Sequence, residues 1–297
     1  MPLDQQHEHD FQKEQQGEMS FFDHIIELRK HILRSVLAIA ILAVVCFFYK
    51  DFVFGTLIFG PRNPDFPTYR FMCYLSHSIG AGETLCITPP PFKLITRDLG
   101  EVLMQHLFIS FCLGFIGAFP FIFWQFWSFI RPGLLEKERR AVRGIVGVCT
   151  FLFLLGVLFG YFVVAPFSIS FLAGYTLDGL EVAPTLDSYV SYMTMFTLPM
   201  GLVFEMPILA YFLAKIGIIG AAFLRSYRRQ AIVVILILAA IITPSPDALS
   251  QTLVFIPLYA LFEASIIVVA RVQKAREKAS REAERSSRDV VTYKDDE

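Results

Sequence analysis

Apolar stretches of about membrane-crossing length, separated by short charged connections, constrain this chain more than any other feature. They fall at 32–54, 107–129, 144–167, 189–213, 231–242 and 252–270. About 20 apolar residues are needed to carry a helix across a ~30 Å hydrocarbon core, and five of the six stretches approach or exceed that. The fifth is short: its 12 residues rise only about 20 Å at ~1.5 Å each, which implies a re-entrant piece or a locally thinned bilayer. Composition points the same way. The chain is 55% hydrophobic and only 18% charged, with 31 Phe, whereas a soluble domain carries about 25% charged residues. The expected class is an all-α membrane protein of six helices, the last two spans being short.

The distribution of Lys and Arg sets the expected orientation. Four lie before or in the first turn of the first stretch (Lys13, Arg29, Lys30 and Arg34), five lie in 128–143, four in 215–230 and eight follow residue 270, while 168–188 and 243–251 have none. Thus 21 of the 26 basic residues fall on one side, which the positive-inside rule makes cytoplasmic. Both termini are therefore expected inside. The first 18 residues are polar with no apolar core, which argues against a secretion signal. The expected organisation is a disordered polar tail at 1–19, a membrane domain at 20–270 and a basic cytoplasmic tail at 271–297. Within the membrane domain lie an outer loop at 50–100 and cytoplasmic loops at 128–143 and 215–230. The outer loop, with Gly60-Pro61 and Pro89-Pro90-Pro91, reads as a run of turns.

Most chemistries are excluded. No Walker, HExxH, GxSxG or CxxC pattern occurs, so no enzyme, cofactor or metal site is expected. Six His, of which only His106 is expected near a span, do not supply a bis-His haem. No basic face suited to nucleic acid survives outside the short loops.

The informative residues are acids in costly places. Glu205 lies near mid-span with no Lys or Arg before Lys215, and a carboxyl there is a functional hypothesis by default. The alternative is a protonated Glu bonded to backbone left unsatisfied by Pro199 and Pro207. Glu263, eight residues before Arg271, is expected to snorkel or to pair with a basic neighbour. Ahead of the first span, Phe21, Ile25, Leu28 and Ile32 form an apolar stripe opposite Asp23, Glu27, Lys30 and Arg34. That pattern fits an amphipathic lead-in helix on the membrane surface. In the first cytoplasmic loop, Glu136 has Arg139 and Arg140 at i+3 and i+4, an ordinary pairing. Glu138 has Ala141 and Val142 there instead, so no cation of its own helix neutralises it.

Four motifs join these points. They are His24-Ile-Ile-Glu-Leu-Arg29, Phe129-x-x-Pro132-Gly-Leu-x-x-x-Glu138-Arg139, Phe204-Glu205-x-Pro207 and Thr243-Pro-Ser-Pro-Asp247-x-x-Ser-Gln251. In this order, on a six-span frame, they resemble the TatC family of twin-arginine protein translocase subunits over nearly the whole chain. The resemblance implies export of folded proteins bearing paired-arginine signal peptides, driven by the proton-motive force across a bacterial inner membrane. It implies TatA-like and TatB-like single-span partners in a multimeric complex. It places Glu27, Arg29, Phe129, Glu138 and Arg139 on a signal-peptide surface and Glu205 in a polar patch lining a concave face. It puts Asp247 and Gln251 at partner helices. On this orientation Cys73 and Cys86 lie in the oxidising compartment, where compartment and loop geometry permit a disulfide; the alternative is two unpaired thiols. The reading from another class is a proton-coupled secondary transporter with Glu205 as carrier.

Overall fold

The computed structural model describes residues 21–78, 80, 86, 92–130, 141–175, 182–242 and 248–295. These are almost entirely helical, and the only strand-like pairing among them is an isolated parallel bridge between Ile95 and Thr185. In chain order the helices are α1 (Phe21–Phe48), α2 (Pro67–Ser78), α3 (Glu101–Ile130), α4 (Ala141–Phe159), α5 (Ala165–Gly174), α6 (Leu186–Val203), α7 (Met206–Lys215), α8 (Ala221–Ser226), α9 (Arg228–Ile242) and α10 (Ala248–Asp295). Among the described residues, five segments are long and apolar enough to cross a membrane: Ile25–Phe48, Glu101–Phe129, Gly144–Gly174, Leu186–Lys215 and Gln251–Glu282. The fifth stretch forms α9, whose 15 residues match its short apolar run. The chain divides into two compact units, one holding α1 and Ser110–Thr150, the other Tyr49–Ile109 and the chain from Phe151 onward.

In the first unit, α1 is unbroken from Phe21 to Phe48. The expected surface-lying lead-in is therefore corrected: it is the first turns of the spanning helix. The apolar stripe explains why. Ile25, Leu28 and Ile32 are exposed, facing outward where lipid takes the place of water, while Glu27, His31, Ser35 and Ile39 on the opposite face are half-buried. That face meets α3 closely, because a Cβ at Gly114 would stand 2.7 Å from Ala43 N and 2.8 Å from Ile39 O. Only a residue without a side chain lets the two backbones approach so near.

The first span also ends earlier than residue 54. After Phe48 the chain makes a one-turn helix at Lys50–Phe52 and a π-helical turn at Val53–Ile58. Val53 and Ile58 are buried within the second unit, so these apolar residues serve packing there rather than the span.

In the second unit, proline shapes the helices. Pro166 has no N–H for Phe162 O, and the chain takes a π-helical turn at Gly160–Val164 before α5 begins. The freed Phe162 carbonyl accepts from the Thr68 hydroxyl of α2. Tyr69 donates to Pro61 O at 2.7 Å and lies 3.3 Å from Pro166 O. The outer loop is thus better organised than a run of turns, since these bonds, with Phe66 stacked on Phe162, fasten α2 to the body of the unit. Nearby, Glu101 accepts from Asp187 N at 2.8 Å and Arg97 N at 2.6 Å, tying the loop to the start of α6.

The elements that follow α6 pack on α10. Ala214, Ala221 and Val269 make a small buried cluster, and Glu263 pairs with Arg228 at 2.7 Å, the basic neighbour its position called for. Past the apolar part, α10 continues as helix to Asp295, so the tail extends the last span.

Candidate functional site

The first unit brings together part of the expected signal-peptide surface. Glu27 and His31 are i and i+4 on α1 and so share one face, about one turn apart. His31 donates from Nδ1 to Gln125 Oε1 at 2.5 Å, and Ser35 donates to His31 O at 2.9 Å. The His31 ring sits edge-on to Phe129, with centroids 6.3 Å apart at 64°, so Phe129 is held at the end of α3 by α1. Glu27 is half-buried, Arg29 exposed and Phe129 half-buried. Glu138 and Arg139 lie outside the described residues. The arrangement puts a carboxylate one helical turn from an imidazole that meets an aromatic ring, and carboxylate and ring are the group types that suit a guanidinium fork flanked by apolar side chains. His31 and Gln125 were given no role by sequence reasoning. Their signal was the i+4 spacing from Glu27 and the turn separating Gln125 from Phe129.

In the second unit, Glu205 occupies a break between α6 and α7. Pro207, in the first turn of α7, cannot donate to Val203 O, and the chain tightens there: Glu205 N donates to Leu202 O at 3.1 Å, and Glu205 O accepts from Ile208 N at 3.0 Å. Glu205 is buried at 7% exposure. Glu205 is the N-cap residue of α7, without a side-chain capping bond. The helices around the break are tightly apposed: a Cβ at Gly156 would meet Met200 O at 2.6 Å, and one at Gly160 would meet Phe196 O at 2.3 Å.

Gln251 near the start of α10 donates to Leu236 O of α9 at 3.3 Å. Asp247 lies outside the described residues. Cys73 on α2 and Cys86 are joined as a disulfide with Cα atoms 4.3 Å apart.

Set against known proteins, the chain matches the model of the Sec-independent protein translocase protein (TatC) over residues 23–257. It is 39% identical over 273 residues to the Sec-independent protein translocase protein TatC of Blattabacterium sp. subsp. Periplaneta americana, covering 89% of this chain and all of that protein. It is 36% identical over 252 residues to the TatC of Helicobacter pylori strain 26695, covering 85% and 88% of the two chains. A crystal structure of the twin-arginine translocase receptor TatC matches with a TM-score of 0.59 at 33% identity, over 83% of this chain and 97% of that one. A second, in DDM, matches with a TM-score of 0.63 at 34% identity, over 82% and 98%.

Proposed function

The chain belongs to the TatC family, a multi-pass membrane component of the Sec-independent twin-arginine translocase, and from that premise we propose that its cytoplasmic face is the receptor for paired-arginine signal peptides. The observation that carries this reading is the position of Glu27. It lies on an unbroken helix, half-buried, one turn before the His31 that touches Gln125 and Phe129. Each arginine of a signal peptide presents a planar fork of donors that a carboxylate accepts in two parallel bonds. Glu27, with Glu138 from the adjoining loop, supplies two such acceptors for two arginines. Phe129 offers an apolar and π-electron surface beside them, and Arg29 and Arg139 keep the local charge balanced between peptides.

In this reading both termini face the cytoplasm of a bacterial inner membrane, as the basic residues require. Folded cargo is exported by the proton-motive force with single-span TatA-like and TatB-like partners in a multimeric complex. Glu205 accepts a polar group of a partner helix within the membrane, and Asp247 and Gln251 contact partner helices at the outer tip. The transporter reading of Glu205 is not supported, because the family and the matched crystal structures are of a protein translocase component.

The test is binding of a synthetic signal peptide to purified protein. Affinity for a peptide with two consecutive arginines falls sharply when both become lysine, since lysine offers a point charge in place of a fork. Equal affinity for the two peptides would contradict the reading.

A further inference from the structure

Cys73, His77 and Cys86 form a cluster apart from the Glu27 and Glu205 sites. Cys73 and His77 are i and i+4 on α2, so their side chains share one face, and α2 is anchored by the Thr68 and Tyr69 hydrogen bonds. His77 Nδ1 donates to Cys73 O at 2.8 Å. That bond holds the ring against both sulfurs, with Nδ1 3.9 Å from Cys73 Sγ and 4.0 Å from Cys86 Sγ. All three potential ligand atoms lie within 4.8 Å of one another, with both cysteines half-buried and His77 exposed. Gly80, at φ +73°, reverses the chain between His77 and Cys86 in a conformation that glycine adopts without strain.

We propose that opening the disulfide converts this cluster into a three-ligand site for a zinc-class cation, so that disulfide and bound metal are mutually exclusive states of the loop. Two thiolates and an imidazole are a soft donor set that selects zinc-class ions over calcium or magnesium. Three protein ligands with water in the fourth position make a recognised open zinc geometry. Ligand atoms around such an ion are roughly 3.5 Å apart, from metal–ligand bonds of about 2.0–2.3 Å, so side-chain rotation closes the site without moving α2. The spacing Cys-x3-His-x8-Cys matches no standard metal motif, which is why the sequence alone gave no metal site.

The chemistry balances. A dithiol reductant attacks the disulfide and leaves as its own cyclic disulfide, delivering two electrons and two protons as the thiols of Cys73 and Cys86. The metal then displaces both thiol protons. His77 gives up its bond to Cys73 O and carries its single proton on Nε2, freeing the Nδ1 lone pair.

The experiment uses the full chain in detergent, either untreated or reduced by a phosphine under nitrogen, titrated with Co2+ and Cd2+. The reduced protein is expected to bind one equivalent, seen as a thiolate-to-metal charge-transfer band and tetrahedral cobalt absorption. Untreated protein and Cys73→Ser should show neither band, and His77→Ala should weaken binding at least tenfold while keeping the same thiol count. Failure of reduced protein with an intact circular dichroism spectrum to bind would overturn the proposal. So would metal affinity unchanged in His77→Ala, which would mean any exposed dithiol serves, or a band surviving in Cys73→Ser, which would place the metal at another cysteine.

Discussion

His31 donates a hydrogen bond from Nδ1 to Oε1 of Gln125 across 2.5 Å, joining α1 to α3 one turn before Phe129. Removing the acceptor while keeping the volume, as in Gln125→Leu, leaves a half-buried imidazole without that partner. A net hydrogen bond of this kind contributes about 0.5–1.5 kcal/mol, roughly two- to tenfold in an equilibrium constant. Gln125→Leu is therefore expected to weaken signal-peptide binding by a few-fold, through the position of the Phe129 ring, as measured by fluorescence anisotropy. Gln125→Glu, which keeps an acceptor, should restore most of the loss.

The glycine contacts give a second set of expectations. A methyl at Gly114 or Gly160 would collide with backbone atoms, at 2.7 Å from Ala43 N and 2.3 Å from Phe196 O, whereas one at Gly144 meets nothing within 4 Å. Overpacking costs about 1–3 kcal/mol where neighbours cannot yield. Gly114→Ala and Gly160→Ala should lower the melting temperature of the purified protein, while Gly144→Ala should leave it unchanged.

Much of this architecture was legible in the sequence, and for a physical reason: a helix in lipid must be long and apolar wherever it crosses. Glu205 stood out because an acid at that depth is costly, while Pro199 and Pro207 signalled unsatisfied backbone on both sides of it without saying that the break falls at Pro207 and that Pro199 stays inside α6. What stayed hidden depends on contacts far apart in the chain. The His31–Gln125 bond spans 94 residues, and Thr68 finds its acceptor at Phe162 only because Pro166 frees that carbonyl. The lead-in stripe misled because an apolar face turned to lipid fits a helix lying on the membrane surface as well as one that runs on into it: Ile25 and Ile32 are exposed on a helix unbroken to Phe48. The outer-loop helix α2 was missed because polar anchoring, rather than an apolar period, holds it in place.

Tyr69 supplies a pH-dependent expectation. Burial pushes its phenol up to about 12 from the usual 10, against a smaller lowering by the Ser170 hydroxyl. The unfolded chain releases this proton first, so Tyr69 contributes stability that is fully present below pH 10 and is lost as pH rises through about 12. Wild-type protein should lose resistance to denaturant in that window, and Tyr69→Phe should lose less across it. At neutral pH Tyr69→Phe should nonetheless be less stable than wild type, because Pro61 O, its acceptor at 2.7 Å, is left without that donor.

The central claim, that Glu27 near the start of α1 and Glu138 in the loop after α3 grip the two arginines, is tested most directly by affinity. Truncating one partner of a partly buried Arg–carboxylate pair costs on the order of 2–5 kcal/mol, roughly thirty- to several-thousand-fold, whereas an exposed pair costs less than ~1 kcal/mol. The measurement is the dissociation constant of a paired-arginine signal peptide for wild type, Glu27→Ala, Glu138→Ala and Glu136→Ala, each checked for an unchanged circular dichroism spectrum. Glu27→Ala and Glu138→Ala are expected to weaken binding at least tenfold, Glu138 the more strongly, with Glu136→Ala close to wild type. Equal losses at Glu136 and Glu138, or a change below threefold at Glu27, would mean the face attracts peptides by net charge alone, and the account of a built arginine site would be wrong.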